Sequence, residues 1–152
     1  MKYDEKLVYN ANIRWDKATG GIIDFGNCEN LRIDTPIEFE GRGLAPCPDK
    51  LFLASIGGCL LNTFTNLARK LDLPFLDAIV SVKASLSLHR DGYIFDYINA
   101  ELRICCSKEH YELAERCGVL ARNYCHITRS IEPALPVNVN IEVDSKTLCI
   151  NP

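Results

Sequence analysis

The stretch from Leu51 to Leu71 constrains this chain more than any other. Leu53, Ile56, Leu60, Phe64, Leu67 and Leu71 recur at three- and four-residue spacing. That is one face of a helix of about twenty residues. Pro48-Asp49 starts it, because proline suits the first helical turn and an acid suits the positive end of the dipole. Pro74 stops it. Phe52, Cys59, Leu61 and Thr63 lie off the main stripe. A helix apolar on more than one face is expected to be covered all round. A single sheet covers one side only, so a second subunit is expected on the other, and the pattern predicts a dimer.

The rest of the chain reads as strands, a hairpin and shorter helices. Tyr9, Ala11, Ile13 and Trp15 alternate with Asn10, Asn12 and Arg14, which predicts a strand with one apolar face. Gly20-Gly21 reads as a turn, Ile22 to Phe25 as a second strand and Leu31 to Ile33 as a third. Residues 41–48 form a loop rich in glycine and proline. Ala78, Val80, Val82, Ala84, Leu86 and Leu88 alternate with polar residues in the clearest strand. Asp91-Gly92 signals a hairpin, with Ile94, Ile98, Ala100, Leu102 and Ile104 sharing a face of the return strand. Tyr93, Phe95 and Tyr97 are expected together on one face. Ser107 is the expected N-cap of a helix with a Leu113, Cys117, Leu120, Tyr124 stripe. A short helical piece follows Cys125, and Val137, Val139, Ile141 and Val143 make a last strand. The sum is a single α+β domain over residues 1–152, with antiparallel sheet and helices on one side.

Composition closes several functional classes. The formal net charge of -3 gives no support to nucleic-acid binding, which shows a basic excess. The longest apolar run, Leu51 to Leu61, is short for a bilayer span, so no membrane partner is expected. Residues Met1 to Lys6 are polar and lack the apolar core of a secretory signal, so the expected location is the cytoplasm. There is no G-x-S-x-G, phosphate loop or G-x-G-x-x-G.

Eight cysteines remain to be explained: Cys28, Cys47, Cys59, Cys105, Cys106, Cys117, Cys125 and Cys149. Thiols stay reduced in most cytosols, so most of these are expected to be small buried hydrophobes. No C-x-x-C spacing occurs, which argues against a structural metal. Two cysteines stand out. Cys59 follows Gly57-Gly58 inside the long helix. Two interior glycines cost about 2 kcal/mol relative to alanine, and close approach by another chain or a ligand would offset this. A tight helix crossing around an inert cysteine explains the same residues. Cys125 lies in Asn123-Tyr124-Cys125-His126-Ile127 at a junction of two helical pieces. A helix N-terminus there favours its thiolate, although by itself the segment fits a core cysteine at a helix join better. His126 is adjacent to Cys125, and adjacent side chains on a helix do not face each other.

The run from Pro48 through Ile56-Gly57-Gly58-Cys59 resembles the central helix of the OsmC/Ohr family, in which an Asn-Pro-Glu-like start leads through small residues to a cysteine. The surroundings of Cys125 and the order of elements are similar too, over roughly Val8 to Val143. The resemblance implies an OsmC-like fold with a long central helix in an intertwined homodimer. It implies thiol-dependent reduction of hydroperoxides, often organic ones, with Cys59 as peroxidatic and Cys125 as resolving cysteine. A dithiol reductant would restore the pair, with no metal, flavin or other cofactor required. The resemblance further implies an arginine near the active cysteine, tied by a carboxylate. Asp49 stands where the family usually has glutamate, and Arg14 and Arg42 are the candidate arginines. Asp49 and Cys59 are about 15 Å apart along one helix, so Asp49 would act through an arginine or across the dimer. Two other readings stay open: a non-enzymatic relative binding a hydrophobic ligand in the dimer groove, and a thiol redox sensor.

Overall fold

The computed structural model describes residues 6–26 and 28–145. It has the expected α+β architecture, and the chain separates into two compact units, Met1–Leu51 and Phe52–Pro152.

In the first unit, strands β1 (Asn12–Trp15), β2 (Gly20–Asp24) and β3 (Leu31–Asp34) form an antiparallel meander in that order. Gly20-Gly21, expected as a turn, lies instead within β2, where Gly21 pairs with Trp15 and with Ile33. The reversal comes one step earlier. Asp16 Oδ1 accepts from the backbone N–H of Ala18 at 2.8 Å and of Gly20 at 3.2 Å, and Lys17 takes φ 67°. An aspartate closing the turn through its own side chain explains the shift. Gly20 is required for another reason: a Cβ there would lie 2.1 Å from the Ile33 carbonyl oxygen. The apolar face expected of β1 is present but not buried within this unit, since Ile13 is 61% and Trp15 67% exposed.

The expected long helix, α1, spans Pro48–Lys70, and all but its first four residues belong to the second unit. Ile56, Gly57, Leu60, Phe64 and Ala68 are its buried positions. Leu53 and Leu67 are half-buried and Leu71 is exposed, so the buried stripe sits slightly off the one expected. The helix ends before Pro74. Asp72 takes φ 51° and Leu73 N–H donates to the Ala68 carbonyl at 2.9 Å, a left-handed cap that terminates the last turn. By length and composition α1 would also suit a bilayer, but its Leu60 and Phe64 lie in the core of this unit, the position of a core helix.

Strands β4 (Asp77–His89) and β5 (Gly92–Cys105) form a long antiparallel hairpin. β6 (Val137–Asp144) adds to β5 in parallel, giving the order β4-β5-β6. A parallel partner needs a crossover connection, supplied here by α2 (Tyr111–Tyr124) and α3 (His126–Ile131). Val80 and Val82 face Gly57, which lets α1 lie close to the sheet.

Three local expectations change. The register shifts by one between Ser85 and Leu86, leaving Asp96 as the extra residue of β5. The side-chain parity flips there. Phe95 therefore packs on Phe52 of α1, centroids 5.3 Å apart, while Ile94 and Tyr97 are exposed. Tyr93, Phe95 and Tyr97 make no common platform, and Ile94 leaves the face of Ile98. Next, Ser107 precedes a 3-10 turn over Lys108–His110 rather than α2 itself, and its hydroxyl donates to the Glu109 carboxylate at 3.1 Å. Last, the buried stripe of α2 is Ala114, Cys117, Gly118 and Ala121, with Tyr124 exposed. Small residues are needed because a Cβ on Gly118 would meet Ile141 of β6 at 2.6 Å.

Candidate thiol site

Cys125 sits where α2 gives way to α3. Its backbone is extended (φ −63°, ψ 107°), its N–H donates to the Ala121 carbonyl at 2.9 Å, and its carbonyl accepts from Arg129 N–H at 3.1 Å. It thus closes one helix and opens the next. The Thr128 hydroxyl donates to the same carbonyl at 3.0 Å. The Cys125 side chain is fully buried.

Cys59 lies midway along α1 and is half-buried. Its neighbour Gly58 leaves open space where a Cβ would stand. Cys59 packs against the buried cluster that holds Cys125, and it also meets a residue outside the expected site. His126 Nδ1 is 3.5 Å and Nε2 3.8 Å from the Cys59 sulfur. His126 was weighed only against Cys125, its neighbour in sequence. The break at Cys125 separates it from the α2 helical path and the ring meets α1 instead. A histidine opening a helix just after a cysteine was the available signal.

Burial pushes the Cys59 thiol above its ordinary value. The Ile127 backbone N–H pulls it down, the Cys125 thiol pushes it up, and the Thr63 hydroxyl pulls it down. Thr63 also donates to the Cys59 carbonyl at 2.8 Å. Neither cysteine is in a disulfide; one is partly open to solvent and one shielded. Such an arrangement can supply a nucleophile and a second thiol to condense with its oxidised form.

The other predicted residues fall in the first unit or at its margin. Arg42 is gripped by two carboxylates: it pairs with Asp16 through Nη2 and with Asp34 through Nε at 3.4 Å. Its Nε also donates to the Thr19 hydroxyl oxygen at 3.0 Å. Asp34 is almost wholly buried and accepts from the Thr19 hydroxyl at 2.6 Å and from the N–H groups of Thr35 and Leu44. Hydrogen bonding holds both carboxyls below their ordinary range, from Arg42 first for Asp16 and from Thr19 first for Asp34. The Asp16 contact raises Arg42 in turn. Of the two candidate arginines, Arg42 has the carboxylate tie, whereas Arg14 is exposed on β1 opposite Ile22. Asp49 stands in the first turn of α1, and the carboxylates that tie Arg42 are Asp16 and Asp34.

The remaining thiols divide by burial. Cys105, Cys106 and Cys117 are buried, and burial raises each above the ordinary thiol range. Such cysteines behave as small hydrophobes. Cys149, and Met1–Glu5 on which the cellular location was read, lie outside the described residues. Among the described residues, no group of three or more His, Cys, Asp or Glu is placed to hold a metal ion.

A family model for OsmC-like proteins matches residues 41–140, which include both Cys59 and Cys125. No curated protein matches the chain. Solved structures do. An organic hydroperoxide resistance protein, OsmC, from Legionella pneumophila superposes with a TM-score of 0.73 at 18% identity, over 92% of this chain and 100% of the other. An organic hydroperoxide resistance protein from Elizabethkingia anophelis, with thiocyanate bound, gives 0.75 at 13% identity over 93% and 99%. One from Vibrio cholerae, with captopril in one of its active sites, gives 0.70 at 17% identity over 97% and 100%. At these identities the likeness is one of fold.

Proposed function

This chain belongs to the OsmC-like family, and from that premise we propose that it is a thiol-dependent peroxidase acting on organic hydroperoxides. Cys59 is the peroxidatic and Cys125 the resolving cysteine. The observation that carries the reading is a half-buried Cys59 packed against the buried cluster that holds Cys125. The choice of organic hydroperoxides draws on three fold relatives named as organic hydroperoxide resistance proteins.

The Cys59 sulfur attacks the peroxide O–O bond and becomes a sulfenic acid, releasing the alcohol. The Cys125 thiol condenses with it, forming the disulfide and water. A dithiol reductant returns both cysteines to thiols by exchange. The proposal places the protein in the cytoplasm, where such reductants are kept, as a homodimer in which both compact units serve one OsmC-like domain. The exposed apolar side chains of β1 support the dimer, because an apolar patch of this kind marks an interface.

The test is consumption of cumene hydroperoxide with dithiothreitol as reductant. Wild type is expected to consume peroxide and Cys59→Ser to fall to the uncatalysed rate. Activity surviving that substitution overturns the reading. One observation favours a second reading, a slow thiol redox sensor: burial pushes the Cys59 thiol up and so lowers its thiolate fraction. That reading expects oxidation by peroxide without turnover.

A further inference from the structure

We infer that His126 takes the proton of the Cys59 thiol, so that the reactive species is a Cys59 thiolate beside a His126 imidazolium. The inference rests on the peroxidase reading and names the group that activates its nucleophile.

Placement is the first argument. The Cys59 sulfur lies within hydrogen-bond range of both ring nitrogens of His126, 3.5 Å and 3.8 Å. The contact joins residues 67 apart in the chain, held by two different helices, α1 and α3. Elimination is the second. The Ile127 N–H, the Cys125 thiol and the Thr63 hydroxyl also lie against the Cys59 thiol. The two donors stabilise a thiolate but cannot take its proton, and Cys125 is itself an acid. Among these neighbours in the described residues, the imidazole is the group that accepts a proton and then carries positive charge. Access is the third. His126 is exposed while Cys59 is half-buried, so protons reach the pair from solvent through the ring.

The step balances without any further reactant. The Sγ proton passes to a ring nitrogen. The thiolate attacks the hydroxyl oxygen of R–O–O–H, the S–O bond forms and the O–O bond breaks. The departing alkoxide takes the proton from the imidazolium and leaves as the alcohol. Sulfur is oxidised by two electrons and the peroxide reduced by two. This is nucleophile and base within reach of each other, as in other activated thiols.

The experiment reads thiolate formation directly and needs no peroxide. The reduced full-length protein is alkylated with iodoacetamide across the pH range, and modification of Cys59 is followed by peptide mass spectrometry. At neutral pH, His126→Ala is expected to slow alkylation of Cys59 by about a hundredfold, the low end for a positioned acid–base group. The rate should climb with pH in both proteins, with the rise in wild type displaced to lower pH by the imidazole. His126→Gln keeps a polar contact without a base and should behave like His126→Ala. Should His126→Ala fold poorly by circular dichroism, His126→Gln carries the comparison. Folded variants that alkylate at the wild-type rate with the wild-type pH profile overturn the inference, as does full activity in His126→Gln. Failure of the peroxidase reading is separate: it shows as peroxide consumption by Cys59→Ser, whatever the alkylation rates.

Discussion

Cys59 and Cys125 differ in the way a working thiol pair requires, one reachable and one shielded. The difference sets a prediction. In Cys125→Ser the Cys59 sulfenic acid has no thiol to condense with, so dimedone should trap it after one equivalent of peroxide. Wild type should give the Cys59–Cys125 disulfide instead, and intact-mass analysis separates the two products. Cys59 was legible because two glycines beside a cysteine in a helix call for an explanation. His126 was not, because its partner is 67 residues away and only the extended backbone at Cys125 turns it toward α1. The carboxylates of Arg42 were hidden in the same way. Asp16 and Asp34 come from the turn after β1 and the end of β3, and no spacing in the chain relates them to residue 42.

At the scale of elements, glycine positions separate packing from propensity. Gly118 lets α2 approach β6, and Gly118→Ala is expected to cost about 1–3 kcal/mol through overpacking against Ile141. Gly58 meets nothing within 4 Å in the chain, so Gly58→Ala should gain up to about 1 kcal/mol from helix propensity. Urea unfolding of the two variants side by side checks both signs. Gly57 lies between these cases, since a Cβ there would stand 3.0 Å from Val82. The bulge at Asp96 works at this scale as well. The hydroxyls of Ser85 and Ser87 donate to one Asp96 oxygen at 2.9 and 2.6 Å, which fixes the extra residue and decides that Phe95 faces α1. Alternation alone extends a strand without slips, so it carried Ile94 to the wrong face.

For the whole molecule, the pH dependence of stability follows from the direction of each shift. Asp16, Asp34 and Asp96 are held below their ordinary 3.8. Their contribution is present above that value and is lost as pH falls through the lower folded values. Cys105, Cys106 and Cys117 are raised above their ordinary 9.0. Their contribution is present below 9.0 and is lost as pH rises through the higher folded values. As far as these groups decide it, stability should be flat between about pH 4 and pH 9 and fall on both sides, read as the thermal midpoint of the reduced protein. The proposed homodimer has its own check. Wild type should sediment as a dimer, and Ile13→Asp with Trp15→Asp should shift it toward monomer, because charge on an apolar interface is costly to bury.

Residue pattern was enough for the long helix, the β4–β5 hairpin, the α+β class and the two cysteines singled out as candidates. Each of these is written in local periodicity or in a short motif, and local sterics and burial act on neighbours in the chain. Tertiary structure decided the rest: the parallel seating of β6, the flip at Asp96, the small-residue face of α2, the two carboxylates on Arg42 and the ring of His126 against Cys59. All five depend on which distant residue arrives at a given point. That is settled by close packing and hydrogen-bond satisfaction across elements, which no window along the chain contains.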